Sequence, residues 1–307
     1  MQEQEKKIRK YANMDLVRYA LTIPVILEHC NVLLGTNIWW MISGDHAVKG
    51  FFALSGFLMY GSYIKRDSWL GFVKSRAKRI VPPYVKIVLL CAIGLSLVST
   101  LPLTKYFTDA GLWKYLAANL AFLNFLQPTL PGVFEHNNVD AVNGSLWTLK
   151  VEWMLYLTIP VFFFLIRKTN WKPAYIIYAI AIASIAYKFG MELMYESTGN
   201  GLYQILGRQF AGQLIFFYLG VLLSIYHNAV EKYAVWLLAV CLAVYATGAF
   251  IDSNAFLDIV LPMSFCTIVI LCSTYWPLGE WTSRIGNKSY EVYLYHFPII
   301  QLIANFM

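Results

Sequence analysis

Apolar segments approaching the ~20 residues that cross a ~30 Å hydrocarbon core recur from Asp15 to Met307. Little else constrains this chain as strongly, because helices can satisfy every backbone polar group inside lipid without help from water. Composition agrees. Hydrophobic residues make up 59% and charged ones 13% of the 307 residues, with 17% aromatic, far from an ordinary soluble domain. The fold class expected is all-α: a polytopic helical membrane protein with one membrane domain, residues 15–307, behind a basic tail, residues 1–14. The opening MQEQEKKIRK is polar and basic, and the first apolar segment is too long for a signal-peptide core, so no cleavable signal is expected.

Candidate spans lie at about 15–35, 47–63, 85–103, 112–127, 145–166, 173–190, 205–226, 232–251, 255–275 and 289–307. Lys6, Lys7, Arg9 and Lys10 place the N-terminus in the cytoplasm, and the loop carrying Lys65, Arg66, Lys74, Arg76, Lys78 and Arg79 against Asp67 belongs on the same side. The net charge of +7 is therefore topological, and nucleic acid is not an expected partner. Segment 112–127 is short and interrupted by Asn119, Asn124 and Pro128. If it crosses, the count is ten spans; if it dips in and returns, the count is nine and a re-entrant helix, which places loop 167–172 inside. The five cysteines, Cys30, Cys91, Cys241, Cys266 and Cys272, lie in or beside apolar segments without metal-ligand spacing and read as free thiols.

Arg18 and His29 sit eleven residues apart in the first span. Eleven steps of about 100° bring both side chains to one face, separated by roughly 16 Å of rise. Ionisable groups at membrane depth usually line an interior cavity, and imidazole is the side chain best suited to moving protons near neutral pH. Four further clusters stand out. Ser55-Gly56 in the second span reads either as close packing through small residues or as a hydroxyl placed for chemistry. Arg76 and Arg79, three apart, would share a helix face and form a fork for phosphate oxygens, while Pro82-Pro83 would set the exit into the next span. Glu152, about two turns into an apolar helix, needs a partner on another helix. Ser289, Tyr293 and His296 fall near one stripe, a hydrogen-bonding seam in which His296 reads as structural. No metal cluster, nucleotide-binding glycine loop or G-x-S-x-G elbow is present.

In this order the clusters resemble the membrane acyltransferase-3 family of integral O-acyltransferases, over essentially the whole chain. Asp15, Arg18 and His29 meet its opening pattern, and Phe51 to Phe57 its Phe-Phe-x-x-Ser-Gly-Phe. Arg76, Arg79, Pro82 and Tyr84 meet the next; Ser145, Trp147, Glu152 and Tyr156 the one after; Ser289, Tyr290, Tyr293 and His296 the last. Lys150 and Trp153 flank Glu152 where relatives often carry small or acidic residues.

The resemblance implies transfer of an acyl group, most often acetyl, from acyl-CoA to a hydroxyl of a cell-surface polysaccharide or other glycan, lipid-linked or polymeric, at the cell membrane. His29 is the expected general base, or the nucleophile of an acyl-imidazole, with Glu152 orienting or charge-balancing it. Arg18 would hold the donor or stabilise oxyanion charge. Arg76, Arg79 and Tyr84 are expected at the acetyl-CoA site, and Ser55, Trp147, Asp15 and Ser145 in the substrate pocket, Asp15 also holding Arg18. No resident cofactor or metal is expected; the partners are acyl-CoA, the carbohydrate and membrane lipid. The alternative is a proton-coupled transporter using intramembrane His, Glu and Arg, although no inverted repeat is visible.

Overall fold

A computed structural model of the chain describes residues 13–66, 68–248, 250–251, 256–275 and 288–307. The basic tail residues Lys6, Lys7, Arg9 and Lys10, and Asp67, lie outside this set. Among the described residues the chain is helical and no strand occurs. The helices are α1 (Met14–Leu34), α2 (Gly44–Arg66), α3 (Trp69–Gly94), α4 (Leu103–Thr108), α5 (Ala110–Leu120), α6 (Trp147–Thr169), α7 (Pro173–Thr198), α8 (Leu202–Gly207), α9 (Phe210–Ile225), α10 (His227–Lys232), α11 (Ala234–Gly248), α12 (Leu257–Thr274) and α13 (Ser289–Asn305). Among the described residues, six helical stretches are long and apolar enough to cross a membrane. Large apolar side chains such as Ile182, Val235 and Trp236 point outward, as a lipid-facing surface requires.

One expectation needs correction, and one open alternative narrows. The third span does not begin after Pro82-Pro83: α3 runs unbroken from Trp69 and holds both prolines in its interior. A proline's fixed φ suits a helix, although each ring here crowds an i−4 carbonyl and removes its donor, those carbonyls being Lys78 and Arg79. The basic segment is thus helical, and Arg76 and Arg79 do share a face. Segment 112–127 is the second case. It forms the 11-residue α5 and a short 3-10 turn at Asn124–Leu126. Eleven residues rise about 16 Å, roughly half the hydrocarbon depth, which suits a re-entrant helix rather than a full crossing.

The chain divides into two compact units, one drawn from Met1–Leu21, Asp45–Lys74 and Val151–Gly286, the other from Thr22–Gly44, Ser75–Lys150 and Asn287–Met307. In the first, α2 and α9 approach through glycines. A Cβ at Gly56 would overlap the Phe217 carbonyl, and one at Gly220 the Ala53 carbonyl, so each helix rests against the other's backbone. In the second, a core around Tyr84, Tyr106, Tyr115 and Phe134 supports an irregular stretch, residues 127–143. That backbone is satisfied from α13: Gln301, fully buried, donates to the carbonyls of Val139 and Ala141 at 2.7 Å each, and Asn137 donates back to Gln301. The five cysteines are free thiols, Cys91, Cys241 and Cys266 buried and Cys30 and Cys272 half-buried.

Candidate active site

His29 lies in the second unit, and its ring partner is His296 of α13. Nδ1 of His29 is 2.7 Å from Nε2 of His296, with ring centroids 4.9 Å apart. Nδ1 of His296 is 2.8 Å from the Tyr293 carbonyl oxygen. A carbonyl only accepts, so His296 Nδ1 carries the proton. In a neutral ring its Nε2 is then the lone-pair nitrogen, and the bond to His29 requires Nδ1–H of His29 as donor. The remaining nitrogen, Nε2 of His29, is the basic one. Hydrogen bonding alone fixes both tautomers. Phe297, edge-on to His29 at 5.0 Å, limits rotation of the ring.

Local sequence explains why α13 holds this position. Pro298 has no N–H to offer the Leu294 carbonyl, and Asn143 Nδ2 takes that place at 2.9 Å. Asn143 Oδ1 accepts from the backbone N–H of Ser145 at 3.2 Å and from its hydroxyl at 2.7 Å. Thr148 donates to the Ser145 carbonyl, so the Tyr293 hydroxyl, 2.9 Å from Thr148 Oγ1, is the donor in that pair. At Gly144 a Cβ would meet the Phe297 ring. The Asn143–Thr148 and Tyr293–Pro298 segments therefore form one buried lock behind the histidine pair. Ser145, expected in the substrate pocket, is 1% exposed and belongs to this lock. Trp147 beside it is half-buried.

In the first unit, Glu152 has the partner on another helix that its burial demanded. That partner is a hydroxyl: Ser55 donates to Oε1 at 2.8 Å, and Tyr156 donates to the same oxygen. Ser55 and Gly56 thus divide two tasks, one binding the carboxylate and the other admitting α9. Arg18 and Asp15, an i,i+3 pair, lie 3.9 Å apart, both partly buried.

Comparison with known proteins supplies the deciding observation: a family model described as an acyltransferase domain matches residues 11–307. The chain belongs to the acyltransferase-3 family. Similar proteins include an O-acetyl transferase of Shigella phage Sf6, 26% identical over 95% of this chain and 85% of its own length. Nodulation protein 10 of Rhizobium leguminosarum bv. viciae is 26% identical over 95% of this chain and 83% of its own. A putative O-acetyltransferase of Staphylococcus aureus (strain COL) is 22% identical over 98% of this chain and 52% of its own. No solved structure matches. The protein is a membrane-embedded acyltransferase with O-acyltransferase activity.

Not every acyltransferase-3 motif residue faces a site. Tyr84, expected to bind the donor, is fully buried; its hydroxyl donates to the Asn119 carbonyl at 2.8 Å and its ring stacks on Phe122 at 4.1 Å. It is a core residue. Arg79 is exposed on α3 and Arg76 half-buried, bonded to Ser75. His296 is the residue sequence reasoning undervalued. Its stripe with Tyr293 was visible, but nothing in one sequence pairs a helix near residue 29 with one near residue 296.

Proposed function

We propose that the protein transfers an acetyl group from acetyl-CoA to a hydroxyl of a cell-surface glycan, with His29 Nε2 as general base. The observation that carries this reading is the directed chain from His29 Nδ1–H to His296 Nε2 and from His296 Nδ1–H to the Tyr293 carbonyl. It leaves one nitrogen, of defined tautomer, free to take a proton. A sugar hydroxyl gives its proton to that nitrogen as its oxygen bonds to the thioester carbonyl carbon. The tetrahedral adduct then expels the sulfur by breaking the C–S bond. The imidazolium returns its proton to that sulfur, yielding the ester and free coenzyme A. His296 accepts from the imidazolium throughout, a charge-assisted bond stronger than the one in the resting pair.

The exposed Arg79 and half-buried Arg76, on one face of α3, supply the cationic surface that a phosphate-bearing donor needs. With the N-terminus cytoplasmic in the cell membrane, that surface meets cytoplasmic acetyl-CoA. Arg18 remains the candidate to hold the thioester end or the oxyanion. Acetyl as the group transferred is supported by the names of the phage and staphylococcal relatives.

The test is release of coenzyme A thiol by the purified protein, given acetyl-CoA and surface glycan from cells lacking it. Wild-type protein should release thiol and esterify the glycan, and His29→Ala should do neither while remaining folded. Substantial turnover by His29→Ala would overturn the assignment.

A further inference from the structure

A polar cavity of about 310 Å³ opens in the first unit, near the lower end of the roughly 300–1,000 Å³ usual for small-ligand sites. None of the motif residues lines it. Three cations, Lys49, Lys188 and Arg208, face three carboxylates, Asp45, Glu192 and Asp258. At the floor, Lys49 is 6% exposed and bound to Asp45 at 2.5 Å. Both Lys49 Nζ and Lys188 Nζ stand over the buried Phe216 ring, at 5.2 and 5.4 Å. Gln213, also at the floor and 2% exposed, donates to the Arg208 carbonyl, but its Oε1 has no hydrogen-bond partner among the described residues. Tyr203 lies half-buried in the wall, and Arg208 and Asp258 are exposed at the rim.

Burying this many polar groups is costly unless something pairs with them. We propose that this cavity binds the acceptor as an uncharged saccharide unit. Sugar hydroxyls both donate and accept, so they match interleaved carboxylates, cations and an amide. The balance of three against three turns away the polyanionic donor, whose phosphates would meet the carboxylates. Position agrees as well. Asp45 and Lys49 occupy the first turns of α2, at the opposite end from Lys65 and Arg66. With that basic end cytoplasmic, the cavity opens outward, where a surface glycan waits. The proposal rests on the glycan-acetylation reading above and adds to it the acceptor's seat.

The experiment is saturation-transfer NMR on the full chain in nanodiscs, with the methyl glycosides of glucose, galactose, rhamnose and N-acetylglucosamine as probes. At least one should receive saturation from the wild type and from His29→Ala. Lys188→Met and the rim variant Arg208→Gln should each weaken that signal about tenfold or more, the scale of one lost charged hydrogen bond. Excess coenzyme A should not displace the sugar. Arg208 is exposed, so its variant keeps the test alive if the one at half-buried Lys188 misfolds. Signals unchanged in both variants, or no transfer from wild type to any glycoside, overturn the proposal. Sugar binding that both variants abolish, with no thiol released by wild type, keeps the pocket and removes the glycan reading. Thiol release with acceptor KM unmoved by either variant does the reverse.

Discussion

Replacing His296 is the sharpest probe of the histidine pair. In His296→Leu the Nδ1–H of His29 loses its acceptor, and the proton is no longer confined to that nitrogen. Two losses follow. Part of the population carries its proton on Nε2 and cannot act as base, and the imidazolium formed during transfer lacks a bond to a charged group, worth about 1.5–3 kcal/mol. At 1.36 kcal/mol per tenfold, kcat should fall roughly 10- to 150-fold. The familiar Asp-to-Asn change in a serine protease triad costs about 10⁴ through the wrong tautomer, a ceiling set by a full carboxylate where this site has a neutral ring. The assay is thiol release under saturating acetyl-CoA. His296 acts through another residue, so it is a positioning residue, and its loss should leave the acetyl-CoA KM in place. His296→Gln, whose amide oxygen can accept from His29, should recover part of the rate. A His296→Leu enzyme with kcat within about twofold of wild type would refute the tautomer argument, as would a glutamine variant no better than leucine.

Four other outcomes are expected. Gly144→Ala should push Phe297 away and loosen α13, costing about 1–3 kcal/mol in thermal unfolding and lowering kcat with it. Gly56→Ala meets backbone rather than a ring, so its stability loss should be at least as large. Tyr84→Phe should cost about 1 kcal/mol through the bond to Asn119 and leave the acetyl-CoA KM unchanged; a raised KM would return Tyr84 to the donor site. Arg76→Ala with Arg79→Ala should raise the acetyl-CoA KM about tenfold with little effect on acceptor KM, in steady-state kinetics at low salt.

Span positions were legible because lipid imposes its requirement on each segment separately, so hydropathy along the chain suffices. The same reasoning missed the start of α3. Hydropathy registers side chains, and a polar stretch before a double proline resembles a loop even when its backbone is helical. Glu152's need for a partner on a second helix was equally readable, since burial states the need but not who meets it. Pairings between distant helices were not legible. His29 with His296 and Asn143 with Leu294 depend on how helices pack, which one sequence does not record. Tyr84 and Ser145 show the converse: membership of a motif marks a residue as needed without saying whether it touches substrate or holds what does.

The histidine pair joins α1 to α13 between residues 267 positions apart in the chain. As the chain emerges from the ribosome, His29 enters the membrane early, and every other described helix follows before His296 is made. Until then His29 has no ring acceptor and no enforced tautomer. The enforced tautomer therefore arrives only with α13, and a chain cut short before it would lack the acceptor that His296 supplies.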